Sequence, residues 1–128
     1  MVVLVAASET ADDRHAFKAL VDTGATGTAV SQAVIDALRV ASCGVRQTST
    51  ADGSVVDADE YMLCVHIPVR TTSMSADGNA VVEDYRSTAT VKAIQLGFDT
   101  SACDVIVGMD MLSRYHITMF NNQFVMSI

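Results

Sequence analysis

The strongest constraint on the fold of this chain is a pair of Asp-Gly dipeptides, Asp52-Gly53 and Asp77-Gly78. Both central positions of the tightest hairpin turns require positive φ, which Asp-Gly accepts, so each dipeptide marks two strands running antiparallel. Between them Tyr61, Leu63, Val65 and Ile67 alternate with Met62, Cys64 and His66. That is the period of two expected of a strand, and it is bounded by Pro68, which cannot donate to a ladder. Further strands are expected at Val2–Ala7, His15–Val21, Thr88–Leu96 and Val105–Val107, with a terminal hairpin from Ile117–Phe120 through Asn121-Asn122 to Phe124–Ile128. The charged segment Ser8–Arg14 reads as the turn between the first two strands. Two short helices complete the pattern. Ser31 is placed to cap one in which Val34, Ile35 and Leu38 share a face, and Gly108–Tyr115 reads as the other. Many short strands with frequent turn signals predict a mostly β domain, a closed or nearly closed barrel spanning residues 1–128 without linkers or repeats.

Bulk properties exclude several classes of function. Half of the 128 residues are hydrophobic and Trp is absent, which predicts a folded globular domain of modest core. A formal net charge of -7 opposes nucleic acid and anionic membrane surfaces, since each contact would begin with repulsion. No apolar run approaches the roughly 20 residues of a membrane-spanning helix. The opening Met-Val-Val-Leu-Val-Ala-Ala lacks the basic residue of a signal segment and reads as a strand. Cys43, Cys64 and Cys103 are odd in number and without C-x-x-C spacing, which fits buried or idle thiols in a reducing, cytoplasmic setting. His15, His66 and His116 are dispersed, so no metal site is expected. Ser31 lacks a nucleophile signature, and the methionines between Met109 and Met126 read as core filler.

One segment carries chemistry. Ala19-Leu20-Val21-Asp22-Thr23-Gly24-Ala25 sets an ionisable residue directly after an apolar strand, followed by a hydroxyl residue and a glycine. A carboxylate there can take a proton from water or give one to a departing amine; glycine lets a substrate backbone come close. The plain alternative is a loop aspartate bonded to its own turn. The segment gains weight from Asp104-Val105-Ile106-Val107-Gly108-Met109-Asp110-Met111-Leu112, an apolar strand end with glycine leading into a helix.

Together these segments resemble the retropepsin family of aspartic proteases in order, spacing and chain length. The residues from Thr71 to Arg86 look like an insertion. The resemblance implies a retropepsin-like acid protease barrel, one lobe per chain, with a flap hairpin and a short C-terminal helix. It implies that Asp22 is the catalytic carboxylate of an endopeptidase, supported in its loop by Thr23, Gly24 and Ala25. Substrate would be bound by Gly24, Thr26, the flap residues Ala51, Asp52 and Gly53, and the pocket residue Ile106. The chemistry needs two carboxylates sharing one proton. This chain has one D-T-G, so the partner is a second copy of itself, the substrate a protein or peptide, and no cofactor is called for. Asp99-Thr100-Ser101 lacks the glycine and reads as a turn. The viral members usually carry an acidic residue after D-T-G-A that pairs with an arginine after the later glycine. Here those places hold Thr26 and Met109, although Asp110 and Arg114 are spaced for a pair on the helix. That departure leaves an alternative, a retropepsin-fold dimerisation or peptide-binding module without proteolysis. Release from a longer polyprotein is a further possibility, as in the viral relatives.

Overall fold

The computed structural model describes residues 1–97, 101–121 and 123–127, with the side chains of Thr71 and Tyr85 excepted. The turn expected at Asp99-Thr100 therefore lies outside the described residues, as do Asn122 and Ile128 of the terminal hairpin. In chain order the elements are β1 (Val2–Ala6), β2 (His15–Val21), β3 (Ala29–Val30), α1 (Gln32–Leu38), β4 (Gly44–Ser49) and β5 (Val55–Met74). There follow β6 (Ala80–Gln95), β7 (Val105–Val107), α2 (Met109–Leu112), β8 (His116–Phe120) and β9 (Gln123–Ser127).

The sheet runs β1-β2-β7-β3-β6-β5-β4, and β1 also pairs with β5. That extra pairing, Leu4–Ala6 against Cys64–His66, closes six strands into a barrel and removes the open edges an extended sheet would leave. One edge of β5 stays on β6 from Glu60 onward, while the other is shared in turn by β4, up to Glu60, and β1, at 64–66. Among the described residues no strand takes that second edge beyond residue 66, and there Pro68, which lacks an N–H, is accommodated inside β5. The strand therefore continues through the proline to Met74, and residues 68–74 pair with 80–86. The segment expected as an insertion is the outer part of one long hairpin, closed at Asp77-Gly78, with Gly78 at φ 82° and Arg70 paired to Asp84.

The core fills the barrel with Val3, Val5, Leu63, Val65, Ile67, Val91, Val105 and Val107 and is capped by Met111 and Leu112 of α2 and Val34 and Ile35 of α1. Leu63, Val65 and Ile67 point inward as the alternation predicts. Their neighbours do not all face water: Met62 is exposed, but Cys64 and His66 are buried. Glu9 and Arg14, from the turn after β1, act electrostatically on both. Ser31 caps α1 by position, but its hydroxyl turns to Asp104 rather than to the helix N–H groups. The second helix is half the expected length, because after Leu112 the chain tightens into turns in which Arg114 and Tyr115 donate to the carbonyls of Met111 and Leu112. Of the three cysteines, Cys43 is exposed and Cys64 and Cys103 are buried and free. No helix among the described residues is long and apolar enough to cross a membrane.

Candidate active site

β7 lies between the two strands that flank the Asp22 loop. It runs parallel to β2, with Leu20 opposite Ile106 and Val21 opposite Val107, and antiparallel to β3, with Ala29 opposite Ile106. The loop from Asp22 to Thr28 therefore starts and ends on opposite sides of one short strand. Asp22 N–H donates to the Val107 carbonyl at 3.1 Å, which fixes the residue at the end of the β2–β7 ladder. The chain then turns back on itself. Gly24 N–H donates to Asp22 Oδ1 at 2.8 Å and Ala25 N–H to the Asp22 carbonyl at 3.3 Å. Asp22 is half-buried and one carboxylate oxygen is held by a backbone donor, while Oδ2 has no hydrogen bond among the described residues. Thr23, Gly24 and Thr26 are exposed and Ala25 is half-buried.

The loop is fastened to the start of α2. Met109 N–H donates to the Ala25 carbonyl at 2.8 Å and Asp110 N–H to that of Thr26 at 3.2 Å. Gly108 packs so closely on Gly27 that a Cβ there would lie 2.4 Å from the Gly27 carbonyl oxygen, which is why the position after Val107 is glycine. Beneath this contact sits fully buried Thr28, whose N–H and hydroxyl donate to Asp110 Oδ2 and Oδ1 at 3.0 and 2.8 Å. Met111 N–H donates to the same carboxylate at 2.9 Å, and Gly108 N–H reaches the Thr28 hydroxyl at 3.3 Å.

This Thr28–Asp110 lock replaces the expected Asp110–Arg114 pair. With α2 ending at Leu112, Arg114 is past the helix, and no ion pair joins the two among the described residues. The sequence offers Thr26-Gly27-Thr28 for hydroxyl and backbone contacts, but not the bonds of Thr28 to Asp110. The available signal was a hydroxyl six residues after Asp22 and a carboxylate two after Gly108, but only the fold brings them together across 82 residues.

β4 and β5 form a hairpin whose tip, Ala51, Asp52 and Gly53, is fully exposed, with Gly53 at φ 83°. Asp52 closes the tip by accepting from the Thr50 hydroxyl at 2.5 Å, Ser54 N–H at 2.9 Å and the Ser54 hydroxyl at 2.8 Å. These bonds, that from Thr50 foremost, pull its carboxyl down to about 2. No hydrogen bond links the tip to the Asp22 loop among the described residues. Ile106 is half-buried and packs with Leu96 against a small apolar cluster of Ala29, Ala58 and Ile94. No group of three or more metal-ligating side chains exists among the described residues.

The family model described as "gag-polyprotein putative aspartyl protease" matches residues 10–114, which is most of the chain and includes the Asp22 loop, the hairpin and the Gly108 turn. The chain belongs to this aspartyl protease family. Within that family assignment, the matched span ends just before β8 and starts after β1. In this family member, β1 and the terminal β8–β9 hairpin thus lie outside the matched span. No curated protein and no solved structure matches the chain.

Proposed function

We propose that the chain is an aspartic endopeptidase whose site forms when two copies meet at their Asp22 loops. The observation that carries the reading is the Asp22 carboxylate itself. It is half-buried at a strand end, with one oxygen held by Gly24 N–H and the other open, in a loop clamped by Asp110. Two such carboxylates a few ångströms apart share one proton; one acts as base toward a water and the other as acid toward the departing amine. The hydroxyl of Thr23, exposed and without a hydrogen-bond partner among the described residues, is available to bond across to the second copy. The hairpin of β4 and β5 serves as a lid, with Ala51, Asp52 and Gly53 over the peptide and Gly24, Thr26 and Ile106 below it.

A surface suited to the second copy adjoins the loop. Met119, Phe120 and Val125 of the β8–β9 hairpin are 61, 74 and 68% exposed, and Leu20, two residues before Asp22, is 51% exposed. Leu20 and Val21 share a groove of about 440 Å³ with Met119, Phe120 and Phe124. So much apolar side chain beside the candidate site is what an obligate interface would cover.

Asp22→Asn preserves shape and removes the titratable group. It is expected to abolish cleavage of a peptide library at acidic pH while leaving the dimer intact in sedimentation; undiminished cleavage by that variant overturns the reading. The placement of Thr26 and Met109 where viral members have an ion pair favours a second reading, a dimeric peptide-binding module without proteolysis. An ordered dimer that binds peptides yet cleaves none of a diverse set between about pH 3 and 7, the range in which carboxyl dyads work, would favour it.

A further inference from the structure

We propose that Arg46, with Lys92 beside it, forms a cationic subsite that takes an acidic side chain of the bound peptide; this rests on the peptidase reading and names part of its substrate class. Residues of β4 alternate in exposure, so that Arg46 and Thr48 lie on the inner face of the hairpin and Val45, Gln47 and Ser49 on the outer one. Ala58, the cross-strand partner of Arg46, is buried in the apolar cluster that includes Ile106. That cluster sets the direction of the inner face, toward the floor on which Asp22 lies. The guanidinium reaches the far end of the Asp22 loop. Its Nη1 lies 3.4 Å from where a Gly27 Cβ would stand, in contact with the loop because Gly27 has no side chain.

The availability of donors decides the chemistry. Arg46 Nε donates to Glu60 Oε1 and Nη2 to the Lys92 carbonyl at 3.0 Å, which fixes the plane of the guanidinium. Nη1 has no acceptor among the described residues. Lys92 Nζ stands 3.9 Å from Glu60 Oε2, so one carboxylate serves two cations. The Glu60 side chain is 12% exposed, whereas those of Arg46 and Lys92 are 40 and 55% exposed. The acceptor is therefore largely withdrawn from solvent and the donors remain accessible. Asp110, the other carboxylate near Gly27, already accepts from Thr28 N–H, the Thr28 hydroxyl and Met111 N–H. Asp57 and Asp59 lie exposed, opposite the outer-face residues Gln47 and Val45. A peptide passing from Asp22 along Gly24 toward Gly27 thus meets spare N–H donors on a preoriented guanidinium, whose natural complement is a carboxylate. In a dimer the subsite occurs twice, once on each side of the scissile bond.

The test uses paired peptides differing only by Glu against Gln, scanned through each position around a cleaved bond. Cleavage is measured with the native dimer, and binding with its Asp22→Asn variant. The proposal expects a preference for Glu of about five- to tenfold at one position on each side, the size of a partly exposed charge-assisted contact. It should shrink as salt rises. Arg46→Gln should collapse the Glu/Gln ratio and Lys92→Gln reduce it; the second variant, on an exposed side chain, guards against disturbance of the hairpin. No Glu preference at any position, or a ratio unchanged in both variants, overturns the subsite. A dimer that cuts no peptide but still binds Glu peptides in preference, through Arg46, keeps the subsite and removes the peptidase reading instead.

Discussion

At the scale of single residues, the buried Thr28–Asp110 contact holds the candidate site in shape as much as the loop's own sequence does. One carboxylate satisfies three donors, two of them on a residue with no access to water. Asp110→Ala strands the Thr28 N–H and hydroxyl in the interior, where each lost partner costs on the order of 1–3 kcal/mol. We expect the urea midpoint to fall by the equivalent of about 2 kcal/mol, and peptide cleavage to fall further than stability alone explains, because the same contact fixes Thr26 and Gly27. His66 makes the second residue-scale prediction. It is buried, with Nδ1 2.8 Å from the Thr88 hydroxyl and Nε2 without a partner among the described residues. Burial, then the charges of Arg14 and Arg86, hold its imidazole below the ordinary value of 6.5. Below that value the unfolded chain takes up a proton that the folded chain resists, so stability is lost as pH falls from about 6.5 toward the lower folded value. His66→Gln should flatten that part of a stability profile measured by denaturant between pH 7 and 5; an unchanged slope would assign the loss to other groups. Asp52 behaves in the opposite sense. Its carboxyl sits at about 2, so its bonds across the hairpin tip persist into strong acid.

Among elements, the hairpins and the Asp22 loop were legible in the sequence because their signals are local. Asp52-Gly53 and Asp77-Gly78 both close turns with glycine at positive φ, and the alternation of Leu63, Val65 and Ile67 does face the core. What was not legible depends on contacts distant in sequence. Pro68 reads as a strand end, but the strand runs through it where, among the described residues, one edge of β5 has no neighbouring strand. Cys64 and His66 read only as the alternate positions of that strand, and only the fold shows both buried, with the charges of Glu9 and Arg14 acting on them. In the site, Asp22 and Gly108 could be named from the motif, whereas Thr28 and Arg46 acquire roles only when β3, β4 and α2 converge. The β8–β9 hairpin carries the prediction that belongs to this scale. Phe120 and Val125 are exposed although apolar, so Phe120→Glu should leave the barrel folded by circular dichroism yet shift sedimentation from dimer to monomer. A dimer of unchanged strength would move the interface elsewhere.

For the whole molecule, the barrel closes on itself within one chain, but the proposed chemistry does not. Six strands meet through the β1–β5 pairing, and the family match places the chain in an aspartyl protease family, yet only one D-T-G is present. Counting carboxylates then makes activity a property of the pair. That claim is tested most directly by mixing the native chain with an excess of its Asp22→Asn variant, allowing subunits to exchange, and following peptide cleavage at acidic pH. Hybrid dimers hold one carboxylate in place of two, so activity per native chain should fall toward zero as the variant is added. Activity per native chain that stays constant at every ratio would contradict a site shared between two copies.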